Sequence, residues 1–86
     1  MKRIVDDDNA SGLEALLGEK VLLICANYFY SGKLTGVNKT FVELEDAGIV
    51  YETGSWAEKG YTNLEKFHTK KWFVETSFIE SYGLSK

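Results

Sequence analysis

The sequence predicts a small, mainly β domain: one short α-helix near the start, then a strongly bent antiparallel sheet of five strands forming an open barrel. Three observations carry this. From Glu19 onward, short runs of apolar, β-branched and aromatic residues are separated by turn-forming residues. Glycines fall inside those runs, where a missing side chain lets a strand bend sharply. Only the stretch before Glu19 has the spacing of a helix cap, Ser11-Gly12-Leu13-Glu14.

The helix is expected over about 10–17. The Ser11 hydroxyl would accept from an amide three residues on, and Glu14 would reach back to the cap. Leu13, Leu16 and Leu17 share a face, and Gly18 is placed to end the helix in a left-handed conformation. Two turns do not persist alone in water, so the helix must dock on something apolar. Asp6, Asp7 and Asp8 precede it, where negative charge suits the helix dipole; three adjacent carboxylates read as a solvated lead-in and not as a metal site.

The five strands are expected at 20–26, 28–37, 40–51, 71–75 and 77–82. The first, KVLLICA, is apolar on both faces, as a strand covered on one side and facing a barrel interior on the other must be. Asn27 makes the turn to the second, which has Gly32 in its middle and Gly36-Val37-Asn38-Lys39 at its end. In the third, Val42 and Leu44 alternate with Phe41, Glu43 and Glu45, and Ala47-Gly48 is expected to kink it. Glu43 and Glu45 are two carboxylates on one face, a pattern that marks a wet surface more than an acid–base pair. The segment 53–70 reads as a long variable loop with Trp56, Tyr61, Leu64 and Phe67 as its apolar residues; connections of this length are often functional or mobile, and these aromatics either pack back onto the domain or a neighbouring subunit, stack on bases, or meet a protein partner. Lys71 to Glu75 and Phe78 to Tyr82 close the chain as two short strands around Thr76-Ser77.

Composition limits what such a domain does. Eighty-six residues without proline, 44% hydrophobic and 14% aromatic, make one domain with a thin core. A chain this short buries only about 60% of its unfolded surface, and oligomerisation is one way to supply the rest. Cys25 is the only cysteine, so no disulfide forms within a monomer, and its place in an apolar run makes it a small buried hydrophobe. That usage suggests a reducing compartment. With no signal-like segment and no membrane-length apolar run, the expectation is a cytoplasmic protein away from membranes. A net charge of −3 argues against a general nucleic-acid coat and leaves local basic groups, Lys33, Lys39 and Lys70-Lys71. His68 is the sole histidine, with no thiol or second imidazole nearby in sequence. No metal, cofactor or catalytic site is therefore expected, nor an enzyme.

The element order, together with GEKVLLICANYFYSGKLTGVNKTFVELEDA, resembles the Sm-like (LSm) family over roughly 11–82. Val21, Leu23, Gly32, Leu34, Gly36, Val37 and Glu45-Asp46-Ala47 match its first motif, with Asn38 where aspartate is usual. Val74-Glu75-Thr76-Ser77-Phe78-Ile79 stands in the place of its second motif but lacks that motif's arginine and glycine. The resemblance implies a homo-oligomeric ring, closed by pairing the last two strands between neighbours, that binds single-stranded RNA. By position, RNA contacts fall to Asn38, Lys39 and Thr40 in the first turn, followed by Phe41, and to Thr76 and Ser77 in the second, next to Glu75. Asn38 and Ser77 would reach base edges and Lys39 a phosphate. Subunit contacts fall to Trp72, Phe73, Phe78 and Ile79, the alternative being that all four lie in the subunit's own core. The alternative is a structural or protein-interaction ring that has lost the base pockets, because Glu75 sets a negative charge where the family has a cation.

Overall fold

The computed structural model describes residues 12–86. Ser11 and the three aspartates therefore lie outside the described residues. The part of the expected helix that is described, Leu13–Leu16, is a single 3-10 turn and not an α-helix. Gly12 precedes it without a side-chain cap bond; Ala15 N–H donates to Gly12 O (3.1 Å) and Leu17 N–H to Glu14 O (3.3 Å). Leu13 and Leu16 pack on the core. Gly18 follows at φ 89°, the left-handed region expected of it, and its N–H donates to Leu34 O at 2.8 Å.

Six strands follow where five were expected: β1 Lys20–Cys25, β2 Phe29–Val37, β3 Phe41–Glu52, β4 Asn63–Lys66, β5 Lys71–Glu75 and β6 Ile79–Leu84. They form one antiparallel sheet in the order β4-β3-β2-β1-β6, with β5 also paired to β3. The additional strand, β4, lies inside the segment read as loop. It contains one half-buried apolar residue, Leu64, and is ordered by its partner: Gly48 pairs with Lys66, Val50 with Leu64 and Glu52 with Asn63. A second 3-10 turn, Thr76–Phe78, starts the final segment and displaces β6 to Ile79–Leu84, two residues beyond the expected strand at each end.

β3 is the spine. One side pairs with β2 along its length, and the other pairs first with β5 (Phe41 with Glu75 through Glu45 with Lys71) and then with β4. The change of partner falls at Asp46, whose φ of 54° is unusual for a residue with a side chain. Asp46 N–H donates to Lys70 O (3.2 Å), and Phe67 N–H to Ala47 O (2.9 Å), so β4 and β5 act as one interrupted strand that bulges out at 67–70. Across from this hinge stands Gly32. A Cβ there would lie 2.9 Å from Ala47 Cβ and 3.0 Å from its Cα, and the β2–β3 register shifts between Ser31 and Lys33. The expected kink at Ala47-Gly48 is thus a bend that two strands make together.

Alternation decides the core. Val21, Leu23, Leu34, Val42 and Leu44 are fully buried, joined by Cys25, Ala47 and Val74. The sheet does not close on itself; its margins are β6 on one side and the β4–β5 row on the other. Four residue steps carry the chain from Glu75 at the end of β5 to Ile79 at the start of β6, a span of at most about 14 Å. The sheet must therefore curl far enough to bring its two margins together at that corner. No helix among the described residues is long and apolar enough to cross a membrane.

A candidate nucleic-acid interface

The corner that brings the margins together also joins two turns 36 residues apart in sequence. Thr76 N–H donates to Thr40 O and its hydroxyl to Lys39 O, both at 2.9 Å. Between them lies a shallow depression of about 380 Å³ lined by Lys39, Thr40, Phe41, Glu75, Thr76 and Ser77. All four of Lys39, Thr40, Thr76 and Ser77, named from sequence, meet here. Asn38, the fifth, shapes the first turn: its Oδ1 accepts from Thr40 N–H (2.8 Å), Thr40 Oγ1 (3.1 Å) and Phe41 N–H (2.8 Å). An Asn at this place satisfies two backbone donors at once, which is why a turn residue stands there. Its oxygen is thus spent on the turn, and the amide nitrogen is the group left to meet a ligand.

The chemistry of the depression follows from what is unspent. Lys39 and Ser77 are exposed, whereas the Thr76 hydroxyl proton is committed to Lys39 O; Thr76 is a positioning residue here. Phe41 is 39% exposed and meets Phe73 edge-on at 5.5 Å between centroids, so one face of a rigid ring stands at the rim. One ammonium, one aromatic ring, an amide and a hydroxyl are the components of weak single-strand binding. Glu75 in the same wall opposes phosphate.

The four residues expected at subunit contacts divide into two pairs. Trp72 and Ile79 pack on the protein's own core, with Trp72 stacked on Phe67 at 3.7 Å and 12°. Phe73 and Phe78 are 54% and 58% exposed. Phe78 and Phe73 also border a cleft of about 280 Å³ between the β1–β2 turn and β5, with Cys25 at its base. Burial pushes the Cys25 thiol up, and the Glu80 carboxylate adds to the effect, so the thiol stays protonated at neutral pH and is a poor nucleophile.

Among the described residues, no buried side-chain polar atom lacks a hydrogen-bond partner. Glu43 receives the Thr35 hydroxyl on Oε2 (2.9 Å) and faces Lys71 Nζ at 3.4 Å from Oε1; the Thr35 bond, then Lys71, holds its carboxyl below the ordinary glutamate value. A carboxylate stabilised as the anion is unsuited to donate a proton. His68 is exposed, and no group of three potential metal-binding side chains occurs among the described residues. The chain matches no protein-family model and no curated protein.

Proposed function

We propose that the chain is a divergent Sm-like subunit that assembles with copies of itself into a ring and holds single-stranded RNA in the depression lined by Lys39, Thr40, Thr76 and Ser77, with Asn38 shaping the turn beside it. It binds and does not catalyse, and its setting is the cytoplasm. The observation that carries the reading is the pair of bonds from Thr76 to Lys39 and Thr40, which fuses the two turns into one surface with Phe41 at its rim. Support for assembly comes from the two unpaired sheet margins, which expose backbone donors and acceptors, and from Phe73 and Phe78 beside them.

A second reading is favoured by one feature of the same depression. Glu75 and the net charge of −3 disfavour phosphate, and the exposed aromatic margins suit protein instead; on this reading the ring is a structural or protein-interaction scaffold. Fluorescence anisotropy with short oligo-U and oligo-A RNA at two salt concentrations separates the two. An RNA module that uses the depression discriminates between the bases and weakens on Asn38→Ala and Phe41→Ala; loss of one stacked base is worth about 1–3 kcal/mol. Weak binding that is equal for both sequences and vanishes with salt supports the scaffold. A monomer in sedimentation at micromolar concentration overturns both.

A further inference from the structure

The loop between β3 and β4 is closed by a single side chain from the far end of the chain. Lys86 Nζ donates to the backbone carbonyls of Thr53, Ser55 and Gly60 at 2.5, 2.8 and 3.1 Å. The same nitrogen lies 5.1 Å from the ring centroids of both Trp56 and Tyr61. An ammonium has three donors and no acceptor, and here three acceptors converge on it while two aromatic faces supply the negative side of their quadrupoles. Lysine at a surface ordinarily keeps its head in water. This one is held by five groups drawn from nine consecutive residues, 53–61, of one loop.

Part of the loop is shaped by bonds that do not involve Lys86, and the ammonium joins these parts together. Gly54 sits at φ 71° between the first two carbonyls, and a Cβ there would collide with Thr62 Oγ1, so the neck of the loop requires glycine. Ser55 O also accepts from Glu58 N–H at 3.1 Å, and Ser55 Oγ from Ala57 N–H at 3.2 Å, which fixes the middle carbonyl by an internal turn. Tyr61 is fixed separately: its hydroxyl pairs with Ser85 Oγ at 2.6 Å, and Ser85 Oγ pairs with the buried Ser31 Oγ at 3.0 Å. One wall of the cage is thereby tied to the core without the ammonium.

We propose that the 53–62 loop is a binding site for a primary ammonium, which the protein fills in cis with Lys86. The occupant class follows from the donors. A quaternary ammonium satisfies two aromatic faces but has no N–H for three carbonyls. A guanidinium is planar and spreads its donors too widely for acceptors that converge on one nitrogen. Acetylation of Lys86 removes the charge and two of the three donors, so the modification releases the loop.

The test is chemical rescue in the full chain. In Lys86→Ala, with the sheet checked by circular dichroism, amide hydrogen exchange across 55–62 speeds up by about tenfold or more, the scale of one charge-assisted hydrogen bond. Methylammonium at millimolar concentration restores protection, and tetramethylammonium at the same ionic strength does not. Lys86→Arg behaves like Lys86→Ala. Unchanged exchange in Lys86→Ala overturns the proposal, because the cage then orders nothing. Equal rescue by the two amines overturns it as well, because the carbonyls then select nothing. If Lys86→Ala disturbs the sheet, Gly54→Val with Lys86 retained tests the same cage by distorting its neck; it must lose protection across 55–62 and not regain it with methylammonium.

Discussion

The two halves of β3 are held by different physics. From Phe41 to Glu45 the strand lies between β2 and β5, with Val42 and Leu44 fully buried on one face and Glu43 bonded to Thr35 and Lys71 on the other. From Gly48 to Glu52 it lies between β2 and β4, where Val50 and Gly48 are buried, Tyr51 and Glu52 are exposed, and the partner strand contributes only the half-buried Leu64. The first half is stabilised by area removed from water, a term that needs no direction. Beyond the second half, the loop depends on directed bonds from one cation at the chain's end. Packing resists local opening because one strand cannot leave without exposing its neighbours' apolar faces, whereas a clasp of directed bonds opens by itself. The candidate RNA surface accordingly borders the packed half, and the ammonium cage hangs from the other.

Breaking each half in turn tests that contrast most strongly. Leu44→Ala leaves a cavity in the packed half and costs about 2–5 kcal/mol, a large share of the about 5–15 kcal/mol typical of a small domain. Leu64→Ala removes a half-buried side chain from β4 and costs about 1 kcal/mol. Urea denaturation followed by intrinsic fluorescence reads both. Equal losses would mean that β4 is as much part of the core as β5 is, and the distinction between the halves would fail.

The hinge between the halves gives the next effect. Gly32→Ala adds one methyl group, but it points at Ala47 Cβ and Cα from 2.9 and 3.0 Å, both of which are fixed to backbone in a paired strand. Overpacking of this kind costs about 1–3 kcal/mol. Because Ala47 is where β3 changes partner, the strain is expected to show first in the bulge at 67–70. Amide exchange of Asp46 and Phe67, whose N–H groups donate to Lys70 O and Ala47 O, should accelerate more than that of Leu23 in the centre of the sheet. Uniform acceleration would place the strain in the core and not at the hinge.

Much of the packed half was legible in the sequence, and the reason is periodicity. Val42 and Leu44 alternate with Glu43 and Glu45, and KVLLICA is apolar on both faces, so strands β1 to β3 and their buried residues follow from local pattern. Both turns of the candidate RNA surface were legible for the same reason, since Asn38 and Thr76-Ser77 break two such patterns. What was not legible is held by long-range partners. Asn63-Leu64-Glu65-Lys66 has little strand propensity and becomes β4 because Gly48 to Glu52 offers it a ladder. The aromatic and β-branched run through Phe78 and Ile79 hid the 3-10 turn that shifts β6 outward. Nothing near Lys86 in sequence indicates that its ammonium reaches Thr53, Ser55 and Gly60. The early leucines matched a helical face, yet four residues of 3-10 turn suffice to lay Leu13 and Leu16 on the core. The capping box rests on Ser11, outside the described residues.

The smallest effect concerns Glu43, whose outer-face bonds distinguish the packed half most finely. Its carboxyl is held below the ordinary glutamate value first by the Thr35 hydroxyl and then by Lys71. A carboxylate lowered in the folded state and ordinary in the unfolded one contributes stability that is fully present above the unfolded value, about 4.3, and is lost as the pH falls through the folded value. Thr35→Val keeps the shape and removes the donor, so the Glu43 value should rise toward the ordinary one and the acid limb of the stability curve should flatten. Side-chain carboxyl chemical shifts across pH 2 to 6, about the range in which carboxylates titrate, report the titration directly. Lys71→Met should move it in the same direction by a smaller amount. A Glu43 titration unmoved in Thr35→Val would show that Lys71, and not the cross-strand hydroxyl, fixes this carboxylate, and the bond between β2 and β3 would then be a consequence of their pairing instead of a contributor to it.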